Sequence, residues 1–144
     1  MIKLIARQKG LFLLLFIIFT LCADYKLVKL DTRDFEIDYF DVRVEEVKRE
    51  DSVSVVQITR SSGPSGDESM FVIRTLCLIA KERGKRYFLI LEEGENEEGI
   101  YTYRVGFLNE PIENLKGHFG IIYDKPVTEK VLMDSEDLMK MFGW

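Results

Sequence analysis

A polar turn, an amphipathic stretch and an apolar run follow one another in residues 61–91, and together they restrict the chain to an α+β fold. Residues 61–69 read SSGPSGDES. Gly63-Pro64 interrupts any strand, because proline lacks the N–H that a ladder needs. Ser65 and Glu68 have the spacing of a capping box, and Asp67 and Glu68 suit the positive end of a helix dipole. The spacing predicts a helix from about Asp67 to Arg83, with Met70, Ile73, Leu76, Cys77 and Ala80 on one stripe that Val72 and Ile79 widen. Lys81, Glu82 and Arg83 fit its last turn and Gly84 its end. Residues 87–91 (YFLIL) are apolar without alternation, the pattern of a strand covered on both faces. Strand, helix and strand are expected to form one right-handed parallel crossover unit.

The flanking segments read as antiparallel strands. Tyr25–Leu30 alternates and predicts a short first strand. Phe35, Ile37 and Tyr39 share one parity, while Phe40, Val42 and Val44 share the other, which places a β-bulge near Tyr39–Phe40. Lys48–Ser52 is a polar turn and Val53–Thr59 a third strand, so 35–60 is expected to be a hairpin. Glu93–Gly99 reads as a turn. Ile100–Leu108, with Tyr101, Tyr103, Val105 and Phe107 on one side, should then pair antiparallel to Tyr87–Leu91. Phe119–Tyr123 is expected to be a short strand. The second half of 128–142 is expected to be helical, burying Leu138, Met141 and Phe142. The expected architecture is a mostly antiparallel sheet of five or six strands. The 67–83 helix packs on one face, and a short helix stands at the C-terminus. The central contact is expected between Ile73, Leu76, Cys77 and Ala80 on the helix and Phe88 and Ile90 on the sheet.

The first 23 residues have the layout of an export leader. Lys3, Arg7 and Lys9 precede an unbroken apolar run, LFLLLFIIFTL, at 11–21, and Cys22 and Ala23 follow just before Asp24. The run is shorter than the ~18–20 residues of a membrane-spanning helix. Three outcomes are carried forward: cleavage after Ala23 or Cys22, an uncleaved signal anchor, or lipid attachment at Cys22. A single α+β domain is expected over 24–144, exported to the periplasm or associated with the cell envelope. Membrane association is expected only through the leader or a lipid on Cys22. Without the leader, three of the 20 basic residues and none of the 25 acidic ones are lost, which leaves 17 against 25, a net of −8. Such a balance argues against nucleic acid as a partner.

The residues that carry chemistry are sparse. Two Cys cannot build a disulfide scaffold, and one His excludes any site that needs two imidazoles. Cys77 falls on the apolar stripe, where thiols are inert. His118, in the sequence KGHFG, is the low-ranked candidate for a general base, working with nearby carboxylates in a small hydrolase or ligand-binding domain. The turn before the helix lacks the Gly-Lys-Ser/Thr of a phosphate loop. The glutamates of 92–98 lack the Asp-x-Asp-x-Asp-Gly spacing of a calcium loop. No catalytic, cofactor or metal residues are assigned. Arg60, Arg74, Lys85 and Arg86 flank the crossover unit as ordinary surface charges or as contacts for an acidic partner. Tyr101, Tyr103 and Phe107 read as core.

Residues 69–92 carry one wider pattern, Ser69-x-x-x-x-Arg74, then Ala80-x-Glu82-x-Gly84-x-Arg86-Tyr87-Phe88-x-Ile90. It resembles the helix-to-strand segment of small uncharacterised bacterial envelope lipoproteins. The resemblance covers about a quarter of the chain after the leader and brings no catalytic residues with it. What it implies is an envelope-facing, non-enzymatic protein. The expected function is therefore binding or accessory work in the cell envelope, through protein contacts and without a cofactor.

Overall fold

The computed structural model describes residues 26–62, 65–128 and 131–144. The elements are β1 (Lys29–Asp31), a 3-10 turn (Thr32–Phe35), β2 (Asp41–Arg49), β3 (Val53–Ser62), α1 (Ser65–Glu82), β4 (Tyr87–Glu95), β5 (Tyr101–Leu108), β6 (Met133–Asp134) and α2 (Ser135–Phe142). The six strands form one sheet in the order β1-β2-β3-β5-β4-β6, and every neighbouring pair is antiparallel. The fold is α+β, as the periodicity predicts, with α1 packed on one face of the sheet.

The crossover unit departs from expectation in one respect. β3 and β4 both run antiparallel to β5, so they are parallel to each other, but β5 lies between them. A turn at Asn96–Gly99 folds β5 back onto β4 at little loop-closure cost, and the other edge of β5 is then taken by β3. The strand after the helix is also longer than the apolar run, because it continues through Glu95.

The parity switch before β2 has a different cause from the one expected. Residues 32–35 form a 3-10 turn whose Asp31 side chain accepts from the Arg33 N–H, and Glu36 ends it at φ 55°. The strand begins only at Asp41. The irregularities in the β2–β3 ladder lie at Arg43/Val44 and Glu46/Lys48, not at Tyr39–Phe40.

Helix α1 starts at Ser65, so Ser65 stands inside the first turn and not ahead of it. The Ser61 hydroxyl donates to the Glu68 carboxylate across that start. The buried stripe is Phe71, Val72, Thr75, Leu76, Cys77, Ile79 and Ala80, while Met70 and Ile73 are only half-buried flanks. Its fully buried partners on the sheet include Val42, Val44, Val56, Phe88, Val105 and Phe107, whereas Ile90 packs at the margin. Gly84 supplies the left-handed residue that ends α1 (φ 66°). The Lys85 N–H returns to the Ala80 carbonyl and the Gly84 N–H to the Lys81 carbonyl, the two bonds of a Schellman ending.

The other face of the β4–β5 hairpin is covered by the 109–128 segment. Phe119 lies over Gly106, so close that a Cβ there would stand 2.6 Å from the ring. Residues 119–123 are not a strand. Gly117, Phe119 and Gly120 have φ of 83°, 55° and 79°, which turns the chain sharply and delivers the Phe119 ring to the sheet. Leu89 is buried on β4 and Leu115 in the covering segment.

In α2 the exposed and packed sides differ from expectation. Leu138 and Met139 pack against the core with Trp144, but Met141 and Phe142 face solvent. Asp134 caps the helix by accepting from the Glu136 and Asp137 N–H groups, and Gly143 ends it at φ 67°. The Trp144 N–H then returns to the Met139 carbonyl, which places the indole against the globule. Arg86 closes the joint: its guanidinium meets Asp134 at 2.8 Å, and its carbonyl accepts from the Ser135 N–H and hydroxyl.

Candidate functional site

The side chains that look most chemical are occupied in holding the fold. Glu46 is buried on β2 and accepts from the Arg49 guanidinium at 2.7 Å, the Ser54 hydroxyl at 2.6 Å and the Val28 N–H at 3.0 Å. Burial pushes its carboxyl up, but the Arg49, Ser54 and Val28 donors outweigh burial and hold it below the usual glutamate range. Arg83, one turn beyond Ile79, reaches from the end of α1 to the Glu50, Asp51 and Val53 carbonyls and the Ser54 hydroxyl. Its guanidinium also lies 4.9 Å from the centre of the Phe107 ring. This network fastens the helix end to the β2–β3 turn. At the far end of β3, Arg60 bridges Asp31 and Asp41, and its hydrogen bonds hold both carboxyls below their ordinary values.

His118 sits half-exposed in the tight turn that delivers Phe119. Its N–H donates to the Leu115 carbonyl and its own carbonyl accepts from Ile121. The described residues place no carboxylate or hydroxyl in hydrogen bond with the imidazole, whose ring neighbour is Phe119 at 6.1 Å. Cys77 is buried on the inner face of α1, and burial pushes its thiol up to about 11. Cys22 lies outside the described residues. Among the described residues no three His, Cys, Asp or Glu side chains are gathered in a way that would hold a metal ion. Tyr101 and Tyr103 pack against the core, and Phe107 is wholly inside it. Arg60 and Arg86 are tied to carboxylates.

Arg74 is different. It stands on the outer side of α1, forms no ion pair among the described residues, and lies 4.6 Å from the centre of the Phe35 ring and 5.8 Å from that of Trp144. Both rings belong to longer aromatic contacts. Phe35 meets Phe71 edge-on at 6.3 Å, Phe71 meets Phe40 at 6.0 Å, and Phe40 meets Tyr39 at 4.9 Å. On the other side Trp144 stacks on Phe142 at 4.9 Å. The result is one seam that runs Tyr39, Phe40, Phe71, Phe35, Arg74, Trp144 and Phe142. Three contributors, Phe35, Tyr39 and Phe40, come from before β2, two, Phe71 and Arg74, from α1, and two, Phe142 and Trp144, from the C-terminal end.

Phe40 and Phe71 are buried, and the other members of the seam are not. Tyr39 is 71% exposed, Phe35 40%, Phe142 43% and the adjacent Met141 73%. A guanidinium held near two rings is attracted to their faces while its N–H donors remain able to meet a carboxylate. Trp, Tyr, Phe, Met and Arg are also the side chains enriched where proteins touch one another. The sequence reading treats Arg74 as an ordinary charge or as the contact for an acidic partner, and it leaves the seam unseen. Phe35, Arg74 and Trp144 lie 39 and 70 residues apart in the chain, and no local pattern joins them. Comparison with family models, with curated proteins and with solved structures finds no match to this chain.

Proposed function

We propose that this is an exported, non-enzymatic binding or accessory protein of the cell envelope, related in kind to the small envelope lipoproteins that residues 69–92 resemble. It acts by protein contact through the Arg74 seam. The observation that supports the reading is the Arg74 guanidinium, without an ion-pair partner among the described residues and near Phe35 and Trp144, with exposed Tyr39 on one side and exposed Met141 and Phe142 on the other. The leader-like residues 1–23 and the net negative charge of the rest favour an extracytoplasmic protein partner over nucleic acid. The partner's complementary feature is a carboxylate, which Arg74 receives while the flanking rings exclude water from the pair.

The test is capture from envelope extract with the full chain immobilised, beside an Arg74→Ala, Phe142→Ser double variant whose circular dichroism matches the wild type. The reading expects a defined protein retained by the wild type and lost by the variant. Equal retention by both, or no retained protein, contradicts it.

A further inference from the structure

Strand β4 is nine residues long, but β6 covers only Tyr87 and Phe88 at its start. Past them, Leu89–Glu95 pairs with β5 on one side and with no strand among the described residues on the other. In an antiparallel ladder alternate residues turn their N–H and C=O away from the partner, so among the described residues this stretch presents a row of backbone groups without a strand partner. A cleft of about 320 Å³ lies alongside, lined by Ile90, Leu91, Glu92, Glu93, Val131 and Met133. Glu92, Glu93 and Glu95 are exposed and form no ion pair among the described residues.

We infer that this edge accepts an extended basic segment of another protein as an added strand, with one apolar residue of that segment seated in the cleft. Backbone hydrogen bonds to the open edge supply attachment of any sequence, and side chains supply the choice. Glu93 is opposite Tyr103 and Glu95 opposite Tyr101, so these two carboxylates share one face of the sheet at a spacing of two. Lys or Arg at alternate positions of an incoming strand meets both, and opposite charges directly across a strand pair are favourable. The apolar walls of Ile90, Leu91, Val131 and Met133 call for Val, Ile or Leu at the intervening end.

Charge also decides which occupant is rejected. Two copies of this edge paired with each other would set carboxylates against carboxylates, which disfavours strand exchange between copies of the chain. Glu97 and Glu98 in the following turn extend the same negative field and steer basic segments toward the edge. None of these residues belongs to the Arg74 seam, so the two surfaces stand or fall separately.

The experiment titrates the full chain into a fluorescently labelled Lys-Val-Lys-Val-Lys peptide, with Glu-Val-Glu-Val-Glu as the comparator, and follows anisotropy. Hydrogen exchange of the complex locates the contact. The expected result is binding of the basic peptide alone, weakened by salt, with new amide protection confined to 89–95. Glu93→Lys with Glu95→Lys, both exposed and so harmless to the fold, lowers that affinity by about tenfold. No binding of the basic peptide overturns the proposal and leaves the glutamates as guards of a bare edge. Equal binding by the charge-reversed variant, protection elsewhere, or self-association through this strand overturns it as well.

Discussion

Arg83, just past the end of α1, stands nine residues after Arg74, two and a half helical turns, and so the two leave on opposite sides. Arg83 continues the buried line Val72, Leu76, Ile79 and satisfies the open carbonyls of the β2–β3 turn, while Arg74 turns outward into the aromatic seam. The difference was partly legible: Arg83 follows Ile79 by four positions, and that spacing puts it on the stripe. Its role as a clamp was not, because its acceptors are backbone carbonyls about 30 residues earlier in the chain. Arg83→Ala should cost ~1.5–3 kcal/mol in urea unfolding, the range for hydrogen bonds made by a charged group. A loss within ~0.5 kcal/mol would mean the clamp is idle. Glu46, Asp31 and Asp134 make a second prediction. All three are held below their ordinary values of 4.5, 3.8 and 3.8 by donors that exist only in the fold. A native value below the unfolded one means that the stabilisation is complete above the unfolded value and disappears as pH falls through the native one. The urea midpoint should therefore be level near neutrality and drop as pH falls below about 4.5, and a midpoint that rises on acidification would contradict these assignments.

The helix and the β4–β5 hairpin could be read from the sequence because the helix buries one face, and the apolar run of β4, buried on both, lacks alternation. The stripe around Leu76 and the alternation through Val105 and Phe107 survive folding almost unchanged. The 32–40 and 109–128 segments could not. Their shape comes from left-handed residues, Glu36 in one and Gly117, Phe119 and Gly120 in the other, and from where single rings land. Apolar residues in such segments mimic strand parity without any ladder behind them. Leu76→Ala removes a wholly buried side chain from the centre of the helix–sheet contact, and should cost ~2–5 kcal/mol in chemical denaturation. Gly106→Ala tests the opposite face. The new methyl would meet Phe119 at 2.6 Å and force the ring and its turn off the sheet, an overpacking cost of ~1–3 kcal/mol with faster amide exchange in 114–121. Unchanged exchange there would show that the Phe119 turn does not rest on β5.

At the scale of the whole molecule, one sheet supports two kinds of surface. The α1 side ends in a guanidinium framed by rings, and the free edge of β4 ends in carboxylates. His118, the one imidazole, serves the turn that seats Phe119, and the Cys77 thiol is sealed on the inner face of α1. The seam joins residues from near the start of the described chain, its middle and its last position, so it exists only in the folded molecule and no window of sequence displays it. The account holds that Arg74 faces outward for recognition and contributes little to the fold. The most direct test is urea unfolding of Arg74→Ala beside Leu76→Ala. The account predicts a loss of about 1 kcal/mol or less for Arg74→Ala, the scale of an exposed cation–ring contact. A loss for Arg74→Ala as large as that of Leu76→Ala would make it a member of the core and contradict the reading.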